Sequence, residues 1–165
     1  MSTTTADSTA DQSLARPLIG WGAAVLAVAV IGGLATNPGS DWYEQLDKPS
    51  WQPPGSVFGP VWTALYVLLA ISAALAFRDV RGPRRRLVLG LYAANLALNL
   101  GWSVIFFRLE RPLPALIEMI PLPGTIIALI VLVRRPNAVA AGALVPYAAW
   151  VAFATALTGS IAANN

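Results

Sequence analysis

Five stretches of about twenty residues, almost free of charge, constrain this chain more than any other feature. A hydrocarbon layer roughly 30 Å thick is crossed by about 20 apolar residues in a helix rising 1.5 Å per residue. Residues 17–35, 56–77 and 87–107 meet that length and carry no charge. Residues 112–133 contain one acid, Glu118, and 138–161 contain no charged residue. The chain therefore reads as an all-α membrane protein, a bundle of five transmembrane helices with a long structured loop between helices 1 and 2. Residues 1–16 read as a disordered tail of Ser, Thr, Ala and Asp without periodicity, and 17–165 as the transmembrane domain. A signal peptide is the alternative reading of the first segment, because Gly33 and Ala35 are small enough for a cleavage site. The run is longer than an h-region, however, and the tail before it carries Asp7, Asp11 and only Arg16, which favours a retained helix.

Composition closes several routes. Hydrophobic residues make up 56% of the chain and charged ones only 12%, far below a soluble domain. The net charge of +3 does not point to nucleic acid, because five of the eleven basic residues crowd into Arg78–Arg86, a connection between apolar segments. With no cysteine and no histidine, disulfides, thiol chemistry, histidine triads and common zinc or non-haem iron sites are excluded. Haem iron would be left with Met or Tyr as axial ligand, so a bound porphyrin would be held by stacking and shape. Lysine and arginine divide unevenly between the two ends of the bundle. Arg16, the 78–86 cluster, Arg134 and Arg135 fall on one side; Lys48, Arg108 and Arg111 fall on the other. This bias predicts a cytoplasmic N-terminus, an external C-terminus and an external 36–55 loop.

That loop holds Asn37-Pro38-Gly39, Trp42-Tyr43 and Lys48-Pro49-Ser50-Trp51-Gln52-Pro53-Pro54. Prolines restrict it and aromatic rings give it apolar surface to bury, as a lid would need. An interfacial aromatic belt is the other reading of Trp42 and Trp51. Helical spacing aligns Phe58, Trp62 and Tyr66 on the second span. On the third, Tyr92, Asn95, Asn99, Trp102 and Phe106 fall within an arc of about 80°. The fifth repeats the pattern with Tyr147, Trp150, Ala154 and Thr158. Amides in hydrocarbon need partners, so Asn95 and Asn99 should face inward, either as interhelical glue or as the polar points of an aromatic pocket. Glu118 is an intramembrane acid, a candidate for proton coupling, for ligand contact, or for pairing with Arg108 or Arg111. Pro121 and Pro123 should kink or break the fourth helix.

The run Trp42-Tyr43-Glu44-Gln45-Leu46-Asp47-Lys48-Pro49-Ser50-Trp51-Gln52-Pro53-Pro54, continued by Phe58, Trp62 and Tyr66, resembles the signature of the TspO/MBR (translocator protein, tryptophan-rich sensory protein) family. Leu98-Asn99-Leu100-Gly101-Trp102-Ser103 and Pro146-Tyr147 with Trp150 and Phe153-Ala154 are similar to its third and fifth helices. The resemblance implies a homodimeric five-helix membrane protein in a bacterial cell membrane. Such a protein binds porphyrins of the protoporphyrin IX type, and in many members sterols or other hydrophobic small molecules, in tetrapyrrole regulation or stress response. Family members are described as sensors, transporters or porphyrin-degrading proteins. No cofactor is required, porphyrin being the ligand. The motifs carry the family's pocket onto Tyr43, Phe58, Trp62, Asn99, Trp102, Ser103, Trp150 and Ala154; Trp51, Tyr66, Asn95, Glu118 and Tyr147 join them as candidates from position. Trp62 and Trp150 match the tryptophans implicated in porphyrin breakdown, and Glu118 matches an acid of the fourth helix. Thr158 stands where the family often has Asn. No basic residue follows Arg135, so the C-terminal sterol motif is missing; its reversed form fits Arg86, Tyr92 and Leu96. Rival functions are a proton-coupled exporter using Glu118, and a structural partner whose stripes only pack helices.

Overall fold

In a computed structural model, which describes residues 12–165, every regular element is helical. Residues 1–11 of the expected tail lie outside the described residues. Residues 12–16 correct that expectation: they form the first turns of α1 (Gln12–Ala35). Pro17 is the sixth residue of this helix and supplies no N–H to its ladder. Thr36 ends it by turning both its amide (2.9 Å) and its hydroxyl (2.8 Å) onto the Gly32 carbonyl, and Asn37-Pro38 stops propagation.

The loop contains a short helix, α2 (Asp41–Gln45). Its N-cap Ser40 accepts from the Tyr43 amide at 3.2 Å, and Asp41 and Glu44 complement the N-terminal end of the dipole. Lys48 folds back to donate to the Tyr43 and Glu44 carbonyls at the other end. α3 (Gly55–Asp79) follows Pro54 directly. The turn to α4 (Pro83–Ser103) uses Gly82 at φ +64, a left-handed conformation that a side chain would strain, and Pro83 then opens the helix. α4 runs into a π-helical turn, Val104–Arg108, closed by Leu109 N–H on the Val104 carbonyl at 3.0 Å.

The prolines of the fourth span act as expected. α5 (Pro112–Met119) and α6 (Pro121–Val133) meet at Ile120, because Pro121 and Pro123 supply no N–H to the ladder. The fifth span divides at Leu144, before Pro146, into α7 (Ala138–Ala143) and α8 (Val145–Asn164). Five segments are long and apolar enough to span: Leu14–Ala35, Gly55–Asp79, Pro83–Arg108, Pro112–Val133 and Ala138–Asn164. Their outward faces carry Ile19, Leu34, Ile120, Ile127 and Val139, each more than half exposed, which suits lipid and would not suit water.

α1 packs along α3 and α4; α4 packs on α5 and α6; α8 closes against α5 and α6. Two buried clusters result. One fills the half nearest the basic connection, with Leu69, Ala73, Ala76, Val88, Tyr92, Ile126, Leu129 and Tyr147. The other lies under the lid, where Leu46, Phe106, Ala115, Leu157 and Ile161 meet Trp42, Tyr43, Phe58 and Phe107.

Candidate functional site

The lid end of the bundle holds a partly open cavity of about 450 Å³, within the range of small-molecule pockets. Four segments wall it. α1 contributes Ala29, Gly32 and Gly33, whose small size leaves room rather than filling it. α3 contributes Phe58, Gly59, Trp62, Thr63 and Tyr66. α4 and its π turn contribute Asn99, Trp102, Ser103, Phe106 and Phe107. α8 contributes Ala154, Leu157, Thr158 and Ile161, and Thr36, Pro38, Tyr43 and Gly55 close the top.

The rings are held by one another. Trp102 stacks on Phe106 with centroids 5.3 Å apart, and Phe107 meets Trp102 edge-on at 5.9 Å. A regular α-helix would separate Phe106 and Phe107 by about 100°; the wider π turn helps both border the cavity. Trp62 leans on Tyr66 at 5.6 Å. The lid is fastened over them by Trp42 on Phe106 (5.6 Å) and Tyr43 on Phe107 (5.5 Å). Lys48 lies 4.5 Å from the Tyr43 ring centroid, a cation–π contact. Burial raises the Tyr43 phenol above its ordinary pKa, partly opposed by the hydrogen bond that Gln52 donates to it at 3.3 Å. Asn165 also secures the loop, accepting from the Asp47 amide at 3.0 Å and donating to its carbonyl at 3.3 Å.

Polar groups enter the cavity at its inner end. Tyr66 donates to Asn99 Oδ1 at 2.5 Å, and Asn99 Nδ2 donates to the Tyr147 hydroxyl at 3.2 Å. Tyr147 donates to Asn95 Oδ1 at 2.8 Å, Asn95 Nδ2 to Thr125 Oγ1 at 2.8 Å, and Thr125 to the Leu122 carbonyl at 2.7 Å. Five side chains from four helices thus form one continuous chain of hydrogen bonds, from the cavity to the proline break of the fourth span.

Eight of the thirteen candidate site residues border the cavity: Tyr43, Phe58, Trp62, Tyr66, Asn99, Trp102, Ser103 and Ala154. Five do not. Asn95 and Tyr147 are fully buried behind it, as links of the hydrogen-bond chain. Trp150 stands outside the lining, edge-on to Phe58 at 5.8 Å and against Phe153 at 5.1 Å. Trp51 is 49% exposed and meets Phe153. Glu118 lies between α5 and α4, its carboxylate seated on Gly101: a Cβ built there would come within 2.7 Å of Oε1. It pairs with neither Arg108 nor Arg111. The one salt bridge among the described residues is Arg78–Asp79 at 2.6 Å, and Glu118 Oε2 is buried without a partner. The α1 wall is not marked by any motif; Ala29, Gly32 and Gly33 carry only the signal a recess leaves, small size. Among the described residues no group of three His, Cys, Asp or Glu side chains is placed to hold a metal ion.

A polytopic helical bundle with an aromatic chamber under a fastened loop is the architecture of a multi-pass membrane protein. The chain belongs to the TspO/MBR family, whose sequence profile matches residues 21–163. It is 38% identical over 129 residues to the human translocator protein, covering 77% of this chain and 76% of that one. It is 36% identical over 143 residues to the tryptophan-rich protein TspO of Chlorobaculum tepidum, covering 85% of this chain and 90% of that one. The protein CrtK of Rhodobacter capsulatus is 36% identical over 137 residues, with 82% and 84% covered. Membership places this chain among multi-pass membrane proteins of sensor and transporter type.

Proposed function

We propose that this protein is a membrane sensor or transporter that binds a porphyrin of the protoporphyrin IX type in the lid-end cavity. The observation that carries this reading is the lining itself: Trp62, Trp102, Phe58, Phe106, Phe107 and Tyr43 surround one partly open space with few polar groups. Flat rings offer a planar macrocycle large apolar contact and stacking geometry. The family resemblance supplies the porphyrin; the cavity supplies room and walls for a flat guest. In the same reading Trp62 and Trp102 are the stacking planes, while Trp150 acts by backing Phe58. Light-driven porphyrin loss would run through an indole bordering the guest, hence through Trp62 before Trp150.

The test is a titration of protoporphyrin IX into the purified protein, followed by tryptophan fluorescence. Saturable quenching is expected, with affinity falling at least about tenfold in Trp102→Ala and Trp62→Ala and changing little in Trp150→Phe. Unchanged affinity in both alanine variants would remove the chamber from the binding reaction.

The proposed topology has the N-terminus cytoplasmic and the lid external, with two copies associating through the exposed small residues Gly90, Ala93, Ala94 and Ala97 of α4. The chain lacks cysteine, so Ser50→Cys labelled by an impermeant maleimide on intact cells reports the side directly. Proton-coupled export is the second reading, favoured by the partnerless Glu118 oxygen against Gly101. Glu118→Gln would then abolish pH-driven uptake into proteoliposomes while leaving porphyrin quenching intact.

A further inference from the structure

The hydrogen-bond chain behind the cavity has a direction, and one residue far from the cavity sets it. A carbonyl oxygen only accepts, so the 2.7 Å contact between Thr125 Oγ1 and the Leu122 carbonyl uses the single hydroxyl hydrogen of Thr125. Thr125 must then accept from Asn95, which turns the Asn95 amide nitrogen toward it and leaves Asn95 Oδ1 facing Tyr147. Tyr147 is obliged to donate to that oxygen, so its own oxygen accepts from Asn99 Nδ2. Asn99 Oδ1 consequently faces Tyr66, and Tyr66 gives its only hydrogen inward. No link can be reversed alone, because each amide or hydroxyl would then meet a neighbour of its own kind.

Tyr66 and Asn99 both border the cavity, so their junction is where a guest meets this chain. With its hydrogen committed, the Tyr66 hydroxyl offers a guest only lone pairs. The opposite polarity occurs one turn along α4, where the Trp102 indole N–H is buried without a partner. We propose that the inner end of the cavity is a polarity-selective subsite, in which Tyr66 recognises a hydrogen-bond donor (N–H or O–H) on the guest and Thr125, acting through Asn95, Tyr147 and Asn99, is the positioning residue that makes it so. The inference rests on the cavity being the binding site and specifies which rim chemistry that site prefers. A carbonyl or carboxylate set against Tyr66 would face lone pairs and leave a buried acceptor unpaired, a mismatch worth on the order of tenfold in affinity.

Two flat tricyclic probes of similar size separate the cases: carbazole, which presents an N–H, and 9-fluorenone, which presents a C=O. Their dissociation constants are measured by equilibrium dialysis against the full-length protein in detergent, with protein-free micelles as reference. The quantity read is the affinity ratio of carbazole to fluorenone, compared between variants so that intrinsic partitioning cancels. The wild-type ratio is expected to exceed that of Tyr66→Phe by about tenfold. In Thr125→Val the chain loses the anchor of its direction, Tyr66 is free to turn its hydrogen toward the cavity, and the ratio should fall at least about threefold. Thr125→Ser, which restores the hydroxyl, should restore the ratio. A merely structural role for Thr125 would weaken both probes alike and leave the ratio where it was. Equal ratios in wild type and Tyr66→Phe overturn the subsite without any need for the threonine variants to fold. If both probes bind but the ratio ignores Thr125, the relay is wrong and the cavity stands. If neither probe partitions to the protein above the micelle reference, the binding cavity and the subsite fall together.

Discussion

The two halves of the bundle are built from the same apolar stock and pack in opposite ways. Near the basic connection, Ala73, Ala76 and Ala140 show no exposed surface, and the helices close on one another. Ser72 is fully buried there, bonded to the Tyr92 hydroxyl at 2.6 Å and the Ala140 carbonyl at 2.7 Å. Under the lid, rings take the place of alanines: Phe58, Trp62, Trp102, Phe106 and Phe107 brace against each other and hold α3, α4 and α8 apart around empty space. Lipid tails are as apolar as leucine, so burial alone does not drive helices together in a bilayer. Close approach of small residues does, and near the basic connection Ala73, Ala76 and Ala140 supply it, whereas under the lid Ala29, Gly33 and Ala154 border the cavity. The chain of amides and hydroxyls from Tyr66 to Thr125 lies along the boundary between the halves. A membrane protein can thus combine a closely packed half with a hollow one by placing bulky rings around small residues at inward positions.

Truncating a large ring on each side tests this contrast most strongly. Tyr92→Ala in the packed half should cost about 3–5 kcal/mol by leaving a void and removing the hydrogen bond that Tyr92 donates to Ser72, measured by denaturant unfolding in mixed micelles. Trp62→Ala should cost less than half as much, because its side chain already borders a cavity, yet it should lose most porphyrin quenching. Equal losses of stability would erase the distinction between the halves.

Adding atoms is the complementary test, with a smaller effect. Ala76→Leu inserts three carbons where nothing is exposed and should destabilise by about 1–3 kcal/mol. Gly59→Ala, on the cavity wall, meets no atom within 4 Å, and with a helical glycine removed it should stabilise by about 0.4–1 kcal/mol. A cost at both positions would mean that the lid half is packed as tightly as the other.

Gly101 and Glu118 sharpen the comparison at a single contact. Gly101→Ala should cost below about 1 kcal/mol, because the atom it meets is the mobile end of Glu118, which can swing aside. In a Glu118→Ala background the same substitution should cost nothing, and the measured coupling would report how firmly the carboxylate is seated. Smallest of all, Asn165→Ala should change global stability by only a few tenths of a kcal/mol. It should nevertheless speed amide exchange at Asp47, whose N–H donates to the Asn165 side chain.

Much of the architecture was legible because lipid makes severe demands on sequence. Span length, the lack of charge and the prolines around Ile120 each translate directly into helix number, helix position and the α5–α6 break. The inward stripes were legible for the same reason, since Asn95 and Asn99 could not face hydrocarbon. Periodicity reports only the face a residue occupies, however, and not its depth. Trp62 and Trp150 both lie on inward stripes, yet only Trp62 borders the cavity. Asn95 and Asn99 differ by one turn, and one is a hidden link while the other borders the cavity. Glu118 had two arginines within reach along the chain and rests on a glycine instead.

The sequence by itself determined that this chain crosses the membrane with five helices, carries inward aromatic faces and cannot build the usual metal or thiol chemistry, because those follow from length, period and residue type. Only the tertiary structure decided where the faces stop touching and become a chamber, which rings line it, and that one threonine on α6 points the hydrogen bonds of four helices toward a single carbonyl. Those outcomes depend on distances between helices, which arise from side chains far apart in the chain and so leave no local pattern to read.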